Sequence, residues 1–448
     1  MTRTGTFSCY FIMAALVLLG PACMTSAVQF GDASLVYQWS ALDFVWTSEQ
    51  VKEEFIKNGS FIVDKNLLAG IKVYKSQVYL TIPRWRTLTG FPVTLAKVVE
   101  VQGQHKLSPY PDWASQTIGD CQALQYIQSM EIDPNTGHMY VIDTGRIGLA
   151  SPNVQPQNLC PAKIVVYDLN TDQQTASYEI PADVVSRDKN FMNDIVLDYV
   201  DGKVRYAYIS DVAEAKLHIY DFETKTGRNL VDEASMQAEA DGSIITINDV
   251  NYTFAAGIDG IAMSPDFDYV YYCPLGGYNL YQVPTSTLRN GGTSGIRLLG
   301  RKVSQSDGLV YSSKRLYYGG LGTNAVYFWN SEKDTTDQNV DIGQANLTTQ
   351  TQLVQNDETM QWPDTFAIDE EGWLWFVSNR LHLFSTGTMN LTGSEVNMRV
   401  WKVFINETSY LHGAHTRTAS RGVGLTTAMT AIYVTSVCVV VSVVCRWW

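Results

Sequence analysis

Polar side chains recur at one position of a strand pattern that repeats along the sequence. When the repeats are aligned on their first strand, the residue two places before the strand core is an amide or a carboxylate in five of them. A further aspartate, Asp194, follows one of these positions. If the repeats are sheets arranged around an axis, the first strands converge and these side chains face one central cavity. The set is Gln128, Asn193, Asp194, Asp259, Asp307 and Asp364.

Carboxylates that share a cavity repel one another unless protons or a cation neutralise them. Hard oxygen ligands in a loose ring suit Ca²⁺, which polarises a carbonyl or phosphoryl oxygen while one carboxylate acts as base. The predicted catalytic residues are Asp259, Asp307 and Asp364, and the predicted ligand-binding residues are Gln128, Asn193 and Asp194. The metal ligands would be Asn193, Asp259, Asp307 and Asp364. Ca²⁺ is a possible cofactor, and the sequence makes none certain.

Structural roles compete with this interpretation. An aspartate before glycine at a strand start commonly bonds its own backbone in a turn, so each could serve only to fasten its repeat. The Asp-Thr-Gly triplet at 143–145 matches the triplet of aspartic proteases, but that chemistry needs two such aspartates and the sequence has no second triplet. Trp85 and Tyr278 are candidates for the wall of a ligand pocket.

The elements that must position these residues are short strands rich in Val, Ile, Tyr, Phe and Trp. An apolar strand, a polar turn and an aromatic-rich strand occur six times, with starts near residues 70, 130, 195, 261, 309 and 366. A strand unit that repeats about every 50–65 residues predicts an all-β, six-bladed β-propeller, here over 28–410. The last repeat ends near Phe404, so residues 35–45 are predicted to return and close the last blade. Two β-sandwiches are the alternative.

Both ends of the sequence are apolar. Residues 1–27 have the basic start, apolar run and small-residue site of a secretory signal peptide. After a short stalk at 411–424, residues 425–448 form a hydrophobic segment that predicts either a transmembrane anchor or a glycolipid-attachment signal. Both readings of this segment place the domain outside the cell, held at the membrane. Five N-x-S/T sequons agree with export, at Asn58, Asn251, Asn346, Asn390 and Asn406.

The net charge and the cysteine positions bear on the possible partners and on disulfide bonding. The net charge of −13 argues against a nucleic-acid partner, which requires a basic face. Of seven cysteines, Cys121, Cys160 and Cys273 fall inside the predicted domain. In an oxidising compartment we expect one disulfide, Cys121–Cys160, with Cys273 buried and free.

Several segments together resemble the yellow/major royal jelly protein family. They include PRW at 83–85, YPDW at 110–113, VIDTGR at 141–146 and the stretches 158–169, 193–196, 207–211 and 362–380. The resemblance implies a secreted six-bladed propeller whose relatives are linked to dopachrome conversion, to binding of small amines, and to nutrition and development. Asp259 and Asp307 stand where insect members usually have apolar or small residues, and in this the chain is more similar to non-insect relatives.

Three functions follow as hypotheses. The first is a small-molecule site on the axis with dopachrome-conversion-like isomerase activity. The second is a Ca²⁺-dependent lactonase or esterase-like hydrolase, because propellers of that kind place a similar cluster of Asp and Asn on the axis. The third is a non-catalytic binder of small amines or a surface interaction protein. Whether the chain is an enzyme stays open, as does its oligomeric state.

Overall fold

The computed structural model describes residues 30–150 and 154–416. Within these ranges, six four-stranded antiparallel sheets form the predicted six-bladed propeller. The first strand of each blade lies beside the first strands of the two neighbouring blades, and those of the first and sixth blades also meet, so the ring is closed. The fold class is therefore confirmed, and the two-sandwich alternative is excluded.

The first three blades follow one another along the chain. The first blade consists of Ile71–Tyr74, Gln77–Thr81, Leu95–Val101 and Gln104–Pro109. The second consists of Ile127–Asp133, His138–Asp143, Lys163–Asp168 and Gln173–Glu179, with a small added sheet of Arg146–Ile147 and Gln157–Asn158. The third consists of Met192–Val200, Lys203–Asp211, Lys216–Asp221 and Thr226–Leu230, and is followed by a hairpin of Ile244–Ile247 and Val250–Thr253.

The remaining blades complete the ring. The fourth consists of Ile258–Met263, Tyr269–Pro274, Asn279–Pro284 and Arg297–Arg301. The fifth consists of Leu309–Tyr311, Leu316–Gly320, Ala325–Trp329 and Gln350–Gln355. The sixth consists of Pro363–Ile368, Trp373–Ser378, Met398–Phe404 and, from the N-terminal end, Ser34–Trp39. First strands are buried along almost their whole length because neighbouring blades cover both faces, whereas fourth strands are largely exposed.

Helices are short and lie in the connections between strands. The α-helices are Glu49–Lys57, Glu233–Met236, Thr285–Asn290, Ser331–Gln338 and Leu381–Thr386. Single 3₁₀ turns are Val63–Lys65, Ala114–Gln116, Leu321–Thr323 and Ala414–Thr416. Among the described residues, no helix is long and apolar enough to cross a membrane. The predicted signal peptide at 1–27 and the hydrophobic segment at 425–448 lie outside the described residues.

The N-terminal strand closes the propeller as predicted, over a shorter range. Ser34–Trp39 pairs antiparallel with Met398–Phe404. The chain then leaves the sixth blade for the first, where the backbone N–H of Val45 donates to the carbonyl of Leu107 at 2.9 Å. This segment therefore joins the sixth blade to the first and closes the ring.

Residues beyond the last strand pack on the opposite side of the ring. Tyr410 is buried, and its hydroxyl accepts a 2.9 Å hydrogen bond from the backbone N–H of Leu197 in the third blade. The side chain of Asn135 donates to the carbonyl of Leu411 at 2.8 Å and accepts from the N–H of Gly413 at 2.9 Å. Residues 411–416, the start of the predicted stalk, therefore pack against the second and third blades.

The disulfide prediction is confirmed. Cys121 and Cys160 are bonded, which ties the loop before the second blade to the loop before that blade's third strand. Cys273 is buried and unpaired in the fourth blade, also as expected. Cys9, Cys23, Cys438 and Cys445 lie outside the described residues.

Candidate functional site

The six predicted axial residues meet at the centre of the ring, and we call them the axial cluster. They line one small inner cavity of about 210 Å³. In four blades the register between first and second strands shifts where the cluster residue lies, so that two residues leave the ladder. Such bulges redirect side chains, which explains why polar groups in the innermost strands turn toward the axis. The bulged pairs are 128–129, 193–194, 259–260 and 364–365.

Glycine follows two of the axial aspartates because neighbouring first strands approach closely. A β-carbon added to Gly260 would lie 2.2 Å from the carbonyl oxygen of Asp307. One added to Gly308 would lie 2.6 Å from the carbonyl oxygen of Asp364. The Asp-Gly pairs therefore reflect packing between blades, and the side chains of Asp259 and Asp307 bond across blades instead of fastening local turns.

Asp259 and Asp307 form the centre of the cluster, and we call them the carboxyl pair. The two carboxyl groups lie close enough that each affects the pKa of the other. The Asn193 amide donates to Asp259, and the indole N–H of Trp362 donates to Asp307 at 2.8 Å. Each member of the carboxyl pair therefore accepts a hydrogen bond from a side chain outside the pair.

The other two carboxyl groups are held by separate donors. Asp364 accepts hydrogen bonds from the Asn379 amide at 2.5 Å and from the Thr365 hydroxyl at 2.8 Å. Asp194 accepts from the Ser129 hydroxyl at 2.7 Å and from the backbone N–H that follows it at 2.9 Å. Each axial carboxyl therefore has its own fixed donors, so the cluster is preorganised.

Burial raises the pKa of every carboxyl in the cluster. It raises the pKa of Asp307 to about 6, against the opposing effect of the Trp362 hydrogen bond. The pKa values of Asp259 and Asp364 are raised well above the ordinary value of 3.8, first by burial and then by the charge of Asp307. Burial also raises the pKa of Asp194, and the positive charge of Lys72 opposes this. Burial and the mutual repulsion of the carboxylates therefore both favour retention of protons in the cluster.

A larger outer cavity adjoins the carboxyl pair. Its volume is about 630 Å³ including the part open to solvent. Gln128, Asn193, Asp259 and Asp307 border both cavities, so the polar cluster forms the floor of the outer one. Most of the remaining lining is aromatic or aliphatic: Trp85, Phe191, Val212, Phe254, Ala256, Leu275, Leu381 and Phe384.

The aromatic wall comes from loops outside the first strands. Trp85 donates its indole N–H to the Gln128 side chain at 3.1 Å, and its ring packs against that of Phe384 with centroids 5.9 Å apart. Phe254 follows the hairpin after the third blade and packs 4.8 Å from Trp362. The same indole thus supports the wall and donates to the carboxyl pair. Tyr278 instead lies under the guanidinium of Arg301, 4.6 Å from ring centroid to Cζ.

Two acidic residues away from the axis have structural roles. Asp143 is buried and accepts backbone hydrogen bonds from Gln125, Tyr126 and Gly145 at 2.8–3.0 Å. This bonding accounts for the Asp-Thr-Gly triplet without protease chemistry. Burial raises the pKa of Asp143, while the charge of Lys163 and these backbone hydrogen bonds oppose the rise.

Asp211 is the second acidic residue away from the axis. Its carboxylate could join Glu214 and His218 in holding a metal, since the ligand atoms of these residues lie within 4.8 Å of one another. Asp211 already accepts hydrogen bonds from the backbone N–H groups of Phe191 and Glu214. His218 Nε2 lies 3.1 Å from Asp211 Oδ2. These contacts tie a loop to the third blade, and we assign no metal to the group.

Comparison with known proteins places the chain in a family. The model of the family described as "Major royal jelly protein" matches residues 127–410. The chain belongs to the major royal jelly protein family. It is 26% identical over 391 residues to "Protein yellow" of Drosophila yakuba and of Drosophila melanogaster, in each case across 82% of this chain and 67% of the relative. Among solved structures, a luciferin-regenerating enzyme aligns with 79% of this chain and 95% of its own, with 13% identity and a TM-score of 0.45.

The match to the major royal jelly protein family covers all six residues of the axial cluster. It spans the second to the sixth blade, so Trp85 and its neighbours in the first blade lie before it. Sequence reasoning found the cluster because its members share one place in each repeat. It missed Trp362, Phe254 and Phe384, since an aromatic residue in a connection has no such regularity.

Proposed function

We propose that this member of the major royal jelly protein family binds a small aromatic molecule in the outer cavity and transfers protons on it, as a dopachrome-conversion-like isomerase. The carboxyl pair at the floor of an aromatic-walled cavity carries this proposal. In this proposal Asp259 and Asp307 share a proton through a hydrogen bond. It is supported by the pKa of Asp307, which is raised to about 6, and by that of Asp259, which is raised well above 3.8. A base with a pKa near the working pH is what proton transfer at carbon requires.

The walls suit a planar ring. Trp85, Phe254 and Phe384 supply aromatic faces, and a mostly apolar lining with a few polar groups is typical of small-molecule sites. Stacking against such walls would fix the plane of a ligand ring above the carboxyl pair. Orientation of this kind is itself a large part of catalysis, because it replaces a random encounter with a held geometry.

The proton step balances within the pair. The Asp307 carboxylate takes a proton from ring carbon, and the electrons of that C–H bond form a new ring double bond. Asp259 donates its proton to a ring carbonyl oxygen, which becomes a hydroxyl. The substrate gains and loses one proton and is isomerised. The proton then passes from Asp307 to Asp259 through their hydrogen bond, which restores the starting state.

Dopachrome turnover by the soluble domain tests the proposal. Asp307→Asn should lower kcat/KM by about 10²–10⁴-fold, because it removes the base while keeping the side-chain shape. Loss of dopachrome absorbance over time is the measurement, with chelator present throughout. Asp168→Asn, on an exposed strand end, is the matched control and should retain full activity. Full activity in Asp307→Asn would contradict the mechanism, and ligand-induced stabilisation without turnover would favour a non-catalytic binder.

A Ca²⁺-dependent hydrolase is the second candidate. The observation in its favour is that Asp194, Asp259, Asp307 and Asp364 face one inner cavity together with the Asn193 amide. This all-oxygen donor set fits Ca²⁺, which takes 6–8 oxygen ligands. A metal held there would polarise a carbonyl or phosphoryl oxygen of the substrate.

Calcium titration separates the two candidates. For the hydrolase, Ca²⁺ should raise the melting temperature of the wild-type domain, and Asp259→Ala should abolish the rise. Mg²⁺ serves as the ion control because it demands a smaller, octahedral site. Absence of any Ca²⁺-dependent shift, or of lactone and ester hydrolysis with Ca²⁺ present, would reject this candidate.

We also propose that the domain is exported and glycosylated. The five sequon asparagines, Asn58, Asn251, Asn346, Asn390 and Asn406, are all exposed. The Cys121–Cys160 disulfide is typical of an oxidising compartment. Treatment of protein from a secretory host with an N-glycosidase should increase its gel mobility, and unchanged mobility would contradict the proposal.

A further inference from the structure

We propose that the outer cavity selects small aromatic molecules that carry a carboxylate, and that Arg86 at its entrance recognises this group. The inference rests on the proposed axial site and adds the class of ligand. It depends on where Arg86 lies and on which of its N–H groups remain available. The acid–base chemistry of the carboxyl pair is not needed for it.

Arg86 lies on the outer side of the aromatic wall. The indole of Trp85 bonds to Gln128 of the axial cluster and packs against Phe384. Arg86 in turn lies over the Phe384 ring, 5.5 Å from Cζ to centroid. Trp85 and Phe384 therefore lie between the guanidinium and the carboxyl pair, and all of these residues border the outer cavity.

The Arg86 guanidinium has N–H donors that remain available for a ligand. Nη1 of Arg86 donates to the carbonyl of Phe384 at 2.5 Å. Across residues 30–150 and 154–416, Arg86 forms an ion pair with no carboxylate, although a guanidinium offers five N–H donors. It is also the one cationic side chain among the described residues that line this cavity. A partly exposed cation without a counter-ion at a cavity entrance is suited to an anionic ligand group.

A carboxylate fits better than other anions. A planar guanidinium pairs with a carboxylate through two parallel hydrogen bonds. The single positive charge balances a monoanion, whereas a phosphate dianion would keep excess negative charge near the Asp307 carboxylate. The cavity would then hold a ring between aromatic walls, with its carboxylate at Arg86 and its donor groups at the carboxyl pair.

A purely structural role for Arg86 predicts a different result. Phe384, whose carbonyl accepts the hydrogen bond from Arg86, lies in the helix Leu381–Thr386. Arg86 could therefore serve only to hold this helix in place. In that case a substitution would lower the melting temperature and weaken all ligands equally. A recognition role would instead change the preference between two ligands that differ only in the carboxylate.

Matched catechols provide the test. The dissociation constants of 3-(3,4-dihydroxyphenyl)propanoate and 4-propylcatechol are measured by calorimetry for wild type, Arg86→Gln, Arg86→Lys and the exposed control Arg187→Gln. We expect wild type and the control to bind the acid at least tenfold tighter. The ratio should fall to about one in Arg86→Gln and at least threefold in Arg86→Lys, because lysine keeps the charge but not the paired donors.

Each outcome decides between the claims. Equal binding of the two catechols by wild type would overturn carboxylate recognition and leave the axial site standing. An unchanged ratio in the Arg86 variants would overturn the assignment to Arg86. Binding of neither catechol would overturn the proposed site together with this inference. If Arg86→Gln does not fold, the Arg86→Lys ratio still decides.

Discussion

The carboxyl pair should make the stability of the propeller fall as pH rises from 5 to 7.5. Asp259 and Asp307 are fully buried, and burial raises the pKa of Asp307 from the ordinary 3.8 to about 6. A carboxyl with a raised pKa in the folded state contributes stability below its unfolded pKa and loses it as pH rises through the folded pKa. The affected range therefore runs from about pH 4 to about pH 7.

The magnitude follows from the pKa difference. The interval from 3.8 to about 6 corresponds to about 3 kcal/mol of unfolding free energy over the full range, at about 1.36 kcal/mol per pKa unit. Part of this loss occurs below pH 5, so about 1–2 kcal/mol should remain between pH 5 and pH 7.5. Asp259, whose pKa is raised well above 3.8, adds to this fall, because the folded state keeps its proton to a higher pH than the unfolded state does.

The double variant Asp259→Asn and Asp307→Asn removes this titration while keeping the shapes of the side chains. Urea unfolding at pH 5 and pH 7.5 measures the change within each protein, so a constant cost of the substitutions cancels. We expect the fall to shrink by at least about 1–2 kcal/mol relative to wild type, because the double variant also removes the titration of Asp259. Asp168→Asn is the control, since hydrogen bonds lower the pKa of Asp168 and place its titration below the range. A fall of equal size in the double variant would refute the assignment of raised pKa values to the pair.

Three further experiments test the packing around the site. Replacing Cys121 and Cys160 with Ser should lower the unfolding free energy by about 4 kcal/mol, because the bond closes a loop with a sequence separation of 39; urea unfolding without reductant measures it. Arg84→Lys should cost at least about 3 kcal/mol in thermal melts, since the buried guanidinium donates to five backbone carbonyls that an ammonium cannot reach together. Lys72→Met should cost about 3–5 kcal/mol by leaving buried Glu131 unpaired, and adding Glu131→Gln should recover most of it; no recovery would contradict the ion-pair account.

Much of the fold could be predicted because its signals are local. The pattern of apolar strand, turn and aromatic strand can be identified within short segments of the sequence. The number of times it repeats gives the number of blades. The incomplete last repeat predicted an N-terminal closing strand, and Ser34–Trp39 fills that place. The strand is shorter than predicted because Phe44 and Val45 pair with Leu107 in the first blade, a contact that depends on how the two blades meet.

The sequence by itself determined the repeat, the disulfide partners and the membership of the axial cluster, because one position per repeat becomes one level of a ring. Only the tertiary structure decided that Asp259 and Asp307 interact, that Trp362 donates to Asp307, and that Arg86 borders the same cavity. These relations depend on distances of a few ångströms between loops far apart in the chain. Hydrogen bonding and desolvation change steeply over such distances. The periodicity of the strands does not determine these distances.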